Sequence, residues 1–102
     1  MPYNVARYML SVIIQSFQCA DTHTLFVTRK SRRWNGTLAV ALRKLDQLHA
    51  AAMLVDLAVP PGNRLELLKG SRKGQQGIRI NDQWRICFVW RADGPHGVEI
   101  VD

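Results

Sequence analysis

The first candidates for chemistry in this sequence are two arginines, Arg79 and Arg85, which stand in neighbouring runs of alternating apolar residues. Alternation with a period of two is typical of a β-strand with one apolar face. The polar triplet 81–83 between the runs fits a three-residue hairpin loop. This register pairs the two guanidinium groups, at a cost of roughly 0.2–1 kcal/mol. A bound phosphate would compensate this cost, as would splaying into water or neutralisation by Glu66 or Asp102.

The apolar residues of the hairpin support the same register. It sets Ile80 opposite Trp84 and Ile78 opposite Ile86, so that all large apolar side chains share one face of the sheet. A slip by one residue would turn that face toward water. We therefore expect the apolar face to be buried and the arginine face to be open.

The distribution of charge points to a polyanionic ligand. The chain of 102 residues has a net charge of +6, and its contents of 47% hydrophobic and 22% charged residues are those of an ordinary globular domain. Seven basic and only two acidic residues lie between positions 64 and 91. This segment holds the hairpin and a glycine-containing loop at 69–74. Such a concentration of positive charge favours nucleic acid as the partner.

Periodicity and turn residues predict the elements that position these groups. We expect residues 1–8 to be an extension outside the core and residues 9–102 to form one domain, which starts with a strand at Leu10–Phe17 rich in β-branched residues. Helices are predicted at Thr22–Lys30 and Thr37–Met53. The second helix carries apolar residues at helical spacing, namely Leu38, Leu42, Leu45, Leu48 and Ala52.

Three further segments complete the predicted fold. A strand at Asn63–Leu68 turns Leu65 and Leu67 inward, the hairpin follows, and a turn at Ala92–Gly97 leads to a last strand at Val98–Val101. The order β-α-α-β-β-β-β predicts an α+β fold, with two helices packed on a mostly antiparallel sheet of four to five strands. The apolar stripe of the long helix is expected to lie against the apolar face of the hairpin.

Several other features exclude functions or leave alternatives open. Cys19 with His23 is too small a set for a metal site, so we expect no metal or cofactor. The two cysteines form no disulfide framework, which favours a reducing cytoplasm, and Cys87 is expected to be half-buried. The apolar run at 8–14 is too short to span a membrane. The basic run at 29–33 would either stabilise a helix C-terminus or contact nucleic acid such as ribosomal RNA.

Four short motifs carry a resemblance to a known family. They are I-Q-S-F at 14–17, R-L-E-L-L-K-G at 64–70, I-R-I-N-D-Q-W-R-I-C-F at 78–88 and V-E-I-V-D at 98–102. In sequence, spacing and position they resemble the HigB-type toxins, plasmid-maintenance killer proteins of the RelE/ParE superfamily. The resemblance implies a RelE-like fold and a cytoplasmic, metal-independent endoribonuclease that cleaves messenger RNA in the ribosomal A site. It also implies growth arrest and silencing by a HigA-type helix-turn-helix antitoxin.

The resemblance also assigns roles to individual residues. Lys69 matches the lysine of the family's L-K-G motif, and Arg85 matches the arginine of its W-R-I motif. We expect both, helped by Arg79, to stabilise the charge that develops on the phosphate when a 2′-hydroxyl attacks it. Glu66 or Asp102 is the candidate base. RNA binding is expected from Arg79, Arg72, Lys73 and Arg64.

The C-terminus leaves an alternative open. Family members usually end in Asp-Tyr-His, whereas this sequence stops at Asp102, and a missing acid or base costs about 10²–10⁴-fold in rate. The alternative is therefore a catalytically impaired toxin homologue, or a non-catalytic RNA-binding module that still binds a HigA-type antitoxin. Glu66 has an alternative role as a partner for Arg64 or Arg79, and Asp102 as a carboxylate without a catalytic role.

Overall fold

The computed structural model describes residues 13–102, which form two helices packed on a four-stranded antiparallel sheet. The helices are α1 (Ala20–Thr28) and α2 (Leu38–Ala50). The strands, in sheet order, are β1 (Glu66–Leu67), β2 (Gln76–Arg79), β3 (Arg85–Arg91) and β4 (Gly94–Val101). This confirms the predicted α+β fold. The expected extension at 1–8 and the first part of the predicted strand at 10–17 lie outside the described residues.

The core lies between the two helices and one face of the sheet. Leu25 of α1 and Leu45 and Leu48 of α2 are fully buried in one cluster with Ile86 and Phe88 of β3. Each such burial stabilises the fold by about 1.5–3 kcal/mol. The apolar stripe of α2 therefore lies against the apolar face of the hairpin, as the sequence predicts.

The hairpin has the predicted register. Ile78 pairs with Ile86 and Arg79 pairs with Arg85 across β2 and β3. The side-chain oxygen of Asn81 accepts two hydrogen bonds, at 2.8 and 2.9 Å, from backbone N–H groups within the loop. These bonds fix the loop that connects the two arginine-bearing strands.

Both helices end earlier than predicted. α1 ends where Arg29 adopts a left-handed conformation with a φ of 65°. α2 ends at Ala50, because the Asp56 carboxylate accepts hydrogen bonds from the backbone N–H groups of Ala52 and Met53, at 3.0 and 2.9 Å, and starts a 3₁₀ helix. These local hydrogen bonds to an acidic side chain compete with continuation of the α-helix.

The predicted strand at 63–68 is shortened to β1. Asn63 belongs to a 3₁₀ turn, and Arg64 has a left-handed φ of 47°, so extended pairing begins only at Glu66. The expectation that Leu67 points inward is wrong, since this side chain is 62% exposed and Leu68 is buried instead. Leu65 packs against the core as predicted, so the alternation of faces breaks after it, where Glu66 and Leu67 are both exposed.

The segment before α1 lies beside β4 in a parallel orientation. The backbone N–H of Gln15 donates to Pro95 at 2.8 Å, and that of Gln18 donates to Val98 at 3.0 Å. Only one bridge, between Phe17 and Val98, forms there. In the described residues, the first predicted strand is therefore reduced to a single bridge that covers the outer edge of β4.

The last strand is longer than predicted and begins at Gly94 instead of Val98. The predicted turn at 92–97 is correspondingly reduced to residues 92–93. Gly94 has a φ of 119°, and a Cβ atom there would lie 2.4 Å from the backbone oxygen of Ile13. The glycine thus permits a close approach between the start of β4 and the N-terminal segment.

Candidate nucleic-acid interface

The arginine face is the side of the sheet that points away from the helices. Ile78 and Ile86 are fully buried on the core side. The side chains of Arg79 and Arg85, which alternate with them, remain 34% and 46% exposed. The two guanidinium groups are therefore accessible to a ligand.

Each of the two arginines has an acidic neighbour. Arg79 pairs with Asp82, whose side chain is 99% exposed, and Nη1 of Arg85 lies 3.3 Å from Oε1 of Glu66. Exposed ion pairs contribute about 0–1 kcal/mol, so a phosphate can compete with these carboxylates. The expected neutralisation of the arginine pair by Glu66 is present, but at Arg85 and not at Arg64 or Arg79, the partners expected for this carboxylate. The pairing of Asp82 was not predicted, although its position three residues after Arg79 was a signal for it.

Asp102 has a different partner from those considered in the sequence. Its Oδ2 accepts a hydrogen bond of 3.2 Å from the side-chain amide of Gln83. This bond connects the C-terminal end of β4 to the hairpin loop. Asp102 is thereby held next to the arginine face, and among residues 13–102 no arginine lies at ion-pair distance from it.

Two grooves open on this face, and the side chain of Arg85 lines both of them. The hairpin groove has a volume of about 240 Å³, and its polar lining consists of Arg64, Glu66, Arg79, Asn81, Asp82, Gln83 and Arg85. The loop groove has a volume of about 230 Å³ and is lined by Leu68, Lys69, Ser71, Arg72, Arg85, Val101 and Asp102. All predicted site residues except Lys73 line one groove or the other. Lys73 is exposed at the end of the 70–72 turn.

The cations of the loop groove differ in how strongly they are held. Nη1 of Arg72 donates to Glu99 at 2.8 Å and to Gln75 at 3.1 Å. The hydrogen bond with Glu99 raises the pKa of the Arg72 guanidinium. These contacts hold the Arg72 side chain in place, and Glu99 neutralises part of its charge. Lys69 is exposed and has no carboxylate at ion-pair distance among residues 13–102. It is the cation of this groove that is most available to an anion.

Comparison with known proteins identifies the family. A family model described as the RelE-like toxin of the type II toxin-antitoxin system HigB matches residues 10–101. The chain belongs to the HigB-like toxin family. This membership confirms the resemblance that the four sequence motifs carry, and the observed α+β fold is consistent with a RelE-like toxin.

Two curated relatives of this HigB-like chain cover different shares of it. Toxin HigB-1 of Vibrio cholerae is 52% identical over 52 residues, which are 51% of this chain and 54% of that toxin. An uncharacterised protein of Haemophilus influenzae is 35% identical over 74 residues, which are 72% of this chain and 66% of that protein. The chain thus spans between about half and two thirds of the length of the curated relatives it matches.

In this HigB-like chain, a buried network of polar side chains lies next to the hairpin groove, around the residue that precedes Arg64. Asn63 is fully buried, and its Nδ2 donates to Oε1 of Gln47 and to the carbonyl oxygen of Leu57, both at 3.0 Å. Its Oδ1 accepts a hydrogen bond from Nζ of Lys44. The network fixes the turn immediately before Arg64, whose side chain lines the groove.

Lys44 is a buried cation in the middle of α2. Its residue is 7% exposed, and no carboxylate within residues 13–102 lies at ion-pair distance from it. Desolvation lowers the pKa of its ammonium group, and repulsion by Arg43 and Arg79 lowers it further. Buried ionic groups normally have a charged partner. Lys44 is a polar residue of an amphipathic helix, and no pattern in the sequence indicates that it is buried.

The basic run at 29–33 is partly neutralised. Arg29 forms an ion pair of 2.5 Å with Asp46, which raises the pKa of the Arg29 guanidinium. Arg33 forms one of 3.0 Å with Asp21 and lies 4.9 Å from the ring centre of Trp34. These contacts favour the structural alternative for this run.

The sequence also raises the questions of the two cysteines and of a membrane-spanning segment. In the described part of the chain, Cys19 and His23 belong to no group of three or more potential metal ligands. Cys87 is fully buried instead of half-buried, and burial raises the pKa of its thiol. Neither α1 nor α2 is long and apolar enough to cross a membrane.

Proposed function

We propose that this chain is the toxin of a type II toxin-antitoxin system and acts in the cytoplasm as a ribosome-dependent endonuclease on messenger RNA. The observation that carries the proposal is the loop groove, where Lys69, Arg85 and Asp102 line one concave site. Cleavage of a ribonucleotide chain without a metal requires cations around the phosphate and a group that accepts a proton. The family assignment supports a nuclease of this class.

The proposed reaction is an internal transesterification. The 2′-oxygen of one ribonucleotide forms a bond to the adjacent phosphorus, and the bond between that phosphorus and the 5′-oxygen of the next nucleotide breaks. A carboxylate takes the proton of the 2′-hydroxyl, and the leaving 5′-oxygen takes a proton from solvent. Lys69 and Arg85 stabilise the negative charge that accumulates on the non-bridging phosphate oxygens.

Asp102 is the better placed of the two candidate bases. It lines the same groove as Lys69, whereas Glu66 lines the hairpin groove. The carboxylate of Glu66 lies 3.3 Å from Nη1 of Arg85, and this contact gives it a role in orienting the guanidinium group. Asp102 therefore takes the role of base, and Glu66 that of a partner for Arg85.

The proposed protein partner is a HigA-type helix-turn-helix antitoxin. The family description refers to a toxin-antitoxin system, and one relative is named as a toxin. A toxin that arrests growth must be held inactive while the cell that makes it grows. A reading frame for a helix-turn-helix protein beside the gene would support this partner.

The proposal is tested by inducible expression in bacterial cells. The unmodified chain and a control variant, Arg91→Ala, are expected to arrest growth and to produce messenger cleavage in the ribosomal A site. Arg91 is a suitable control because it is exposed and lines neither groove. Lys69→Ala and Arg85→Ala are each expected to reduce cleavage by roughly 10²–10³-fold, as for the loss of one electrostatic donor.

The outcomes separate the possible functions. Growth arrest that is lost in the Lys69 and Arg85 variants, but not in the Arg91 variant, supports the nuclease. If the unmodified chain binds RNA without cleaving it, the protein is a binding module and the nuclease proposal is wrong. If it neither cleaves nor binds RNA, the interface has been assigned to the wrong class of ligand.

A further inference from the structure

The two grooves are adjacent and are divided by a single side chain. Arg85 lines both of them, with Lys69 on one side and Arg79 on the other. An arginine side chain carries several N–H donors in one plane and can bind more than one anionic group. A ligand with two neighbouring negative charges would therefore fit this arrangement better than a single anion.

The hairpin groove has its own cations in addition to Arg85. Arg64 and Arg79 line it together with two carboxylates, Glu66 and Asp82. Both carboxylates are largely exposed, at 60% and 99%, so their hold on the arginines is weak. A phosphate that displaces Asp82 from Arg79 would form charge-assisted hydrogen bonds in a concave site.

The hairpin groove is also structurally fixed. The backbone before Arg64 is held by the fully buried Asn63 and its hydrogen bonds. Lys44 donates a hydrogen bond to the same buried amide. The backbone on the Arg64 side of the groove is therefore held in place before any ligand binds.

Resting on the proposed function, we infer that the hairpin groove is a second phosphate subsite, which binds the phosphodiester next to the one that reacts in the loop groove. Arg85 contacts both phosphates, Lys69 serves the reacting one, and Arg64 and Arg79 serve its neighbour. The ligand class is a single-stranded ribonucleotide chain with at least two consecutive phosphates.

The test measures binding of a short, fluorescently labelled RNA by anisotropy at low ionic strength. All 2′-hydroxyls are methylated to prevent cleavage. A series of otherwise identical RNAs carries one neutral methylphosphonate each, moved along the strand. Each RNA is titrated with the unmodified chain, with Arg79→Ala, Arg64→Ala and Lys69→Ala, and with the charge-matched control Arg91→Ala.

We expect Arg79→Ala and Arg64→Ala each to weaken binding of the unmodified RNA roughly tenfold. The slope of log K against log salt should fall by about 0.7 for each lost phosphate contact of a single strand. One methylphosphonate position should abolish the effect of Arg79→Ala and Arg64→Ala. The adjacent position should abolish the effect of Lys69→Ala, and Arg91→Ala should bind like the unmodified chain at every position.

Two results would overturn the inference and leave the proposed function standing. In the first, the same methylphosphonate position abolishes the effects of Arg79→Ala, Arg64→Ala and Lys69→Ala. In the second, no position abolishes the effects of Arg79→Ala and Arg64→Ala. A different result would remove the proposed function as well, namely RNA binding that does not depend on Lys69. The methylphosphonate series needs only the unmodified chain to locate the contacted phosphates, so misfolding of a variant does not prevent a decision.

Discussion

The buried amide of Asn63 offers the sharpest test of how the hairpin groove is supported. We predict that Asn63→Leu is far more destabilising than Lys44→Met, although the two side chains share one hydrogen bond. Leucine removes the donors to Gln47 and Leu57 and the acceptor of the Lys44 ammonium. The ammonium group then remains buried with no acceptor.

The size of each loss in the free energy of unfolding depends on which buried group is left without a hydrogen-bond partner. Loss of a hydrogen bond to a charged group costs about 1.5–3 kcal/mol, and loss of each of the two neutral hydrogen bonds of the Asn63 amide adds about 0.5–1.5 kcal/mol. We therefore expect Asn63→Leu to lower the free energy of unfolding by about 3–5 kcal/mol. Lys44→Met removes the buried charge itself and leaves only a neutral oxygen unsatisfied, at about 1–2 kcal/mol.

The double variant is the decisive measurement. When both partners are apolar, no unpaired ammonium remains, so Lys44→Met with Asn63→Leu should be less destabilised than Asn63→Leu alone, by about 1–3 kcal/mol. Urea unfolding followed by tryptophan fluorescence gives these differences, provided that the slope with urea concentration is unchanged. Asn35→Leu, at an exposed asparagine, is the control and should change stability by less than about 0.5 kcal/mol. Strictly additive losses in the double variant would refute the reasoning.

Three further predictions concern pH and backbone conformation. Burial and neighbouring arginines lower the pKa of Lys44 in the folded state, so the unfolded chain binds this proton more tightly. Folding stability should therefore rise with pH through the alkaline range between the folded-state and unfolded-state pKa values of Lys44. Lys44→Met should abolish that rise in urea unfolding. The hydrogen bond from His96 lowers the pKa of Asp93 in the folded state. The contribution of this carboxylate to folding stability is therefore present above the ordinary aspartate pKa and is lost as the pH falls through the folded-state pKa. His96→Ala should weaken this dependence of stability on acidic pH in thermal unfolding. Gly94→Ala should lower stability by about 1–3 kcal/mol, because Gly94 has a φ of 119° and no room for a Cβ atom, while Gly36→Ala, with open space around it, should have little effect on the melting temperature.

The hairpin could be predicted residue by residue because two local signals agree there. Period-two apolar residues and a short polar loop together permit one register, and Arg79 opposite Arg85 follows from it. The stripe of α2 was predictable for the same reason, since its apolar spacing is helical and its partner face is strongly apolar. The grouping of Lys69, Arg85 and Asp102 in one groove was implied by the family resemblance and not by any local pattern.

Contacts between distant segments could not be predicted. Lys44 appears in the sequence as one more polar residue of an amphipathic helix, and only the turn at 61–63 brings Asn63 over it. Leu67 is exposed because the alternation of faces breaks after Leu65, which a strict period of two cannot anticipate. The ion pair between Arg72 and Glu99 likewise depends on the path of the glycine-containing loop over the sheet.

The edges of the sheet constrain how other molecules can attach to it. At one side, β1 pairs through only two residues, and at the other side residues 15–18 form backbone hydrogen bonds with Pro95 and Val98 of β4. A long row of unpaired amides is the usual template for strand addition or for growth into aggregates, and within residues 13–102 both margins are short or partly paired. We therefore expect a protein partner of this sheet to recognise mainly the shapes and charges of side chains.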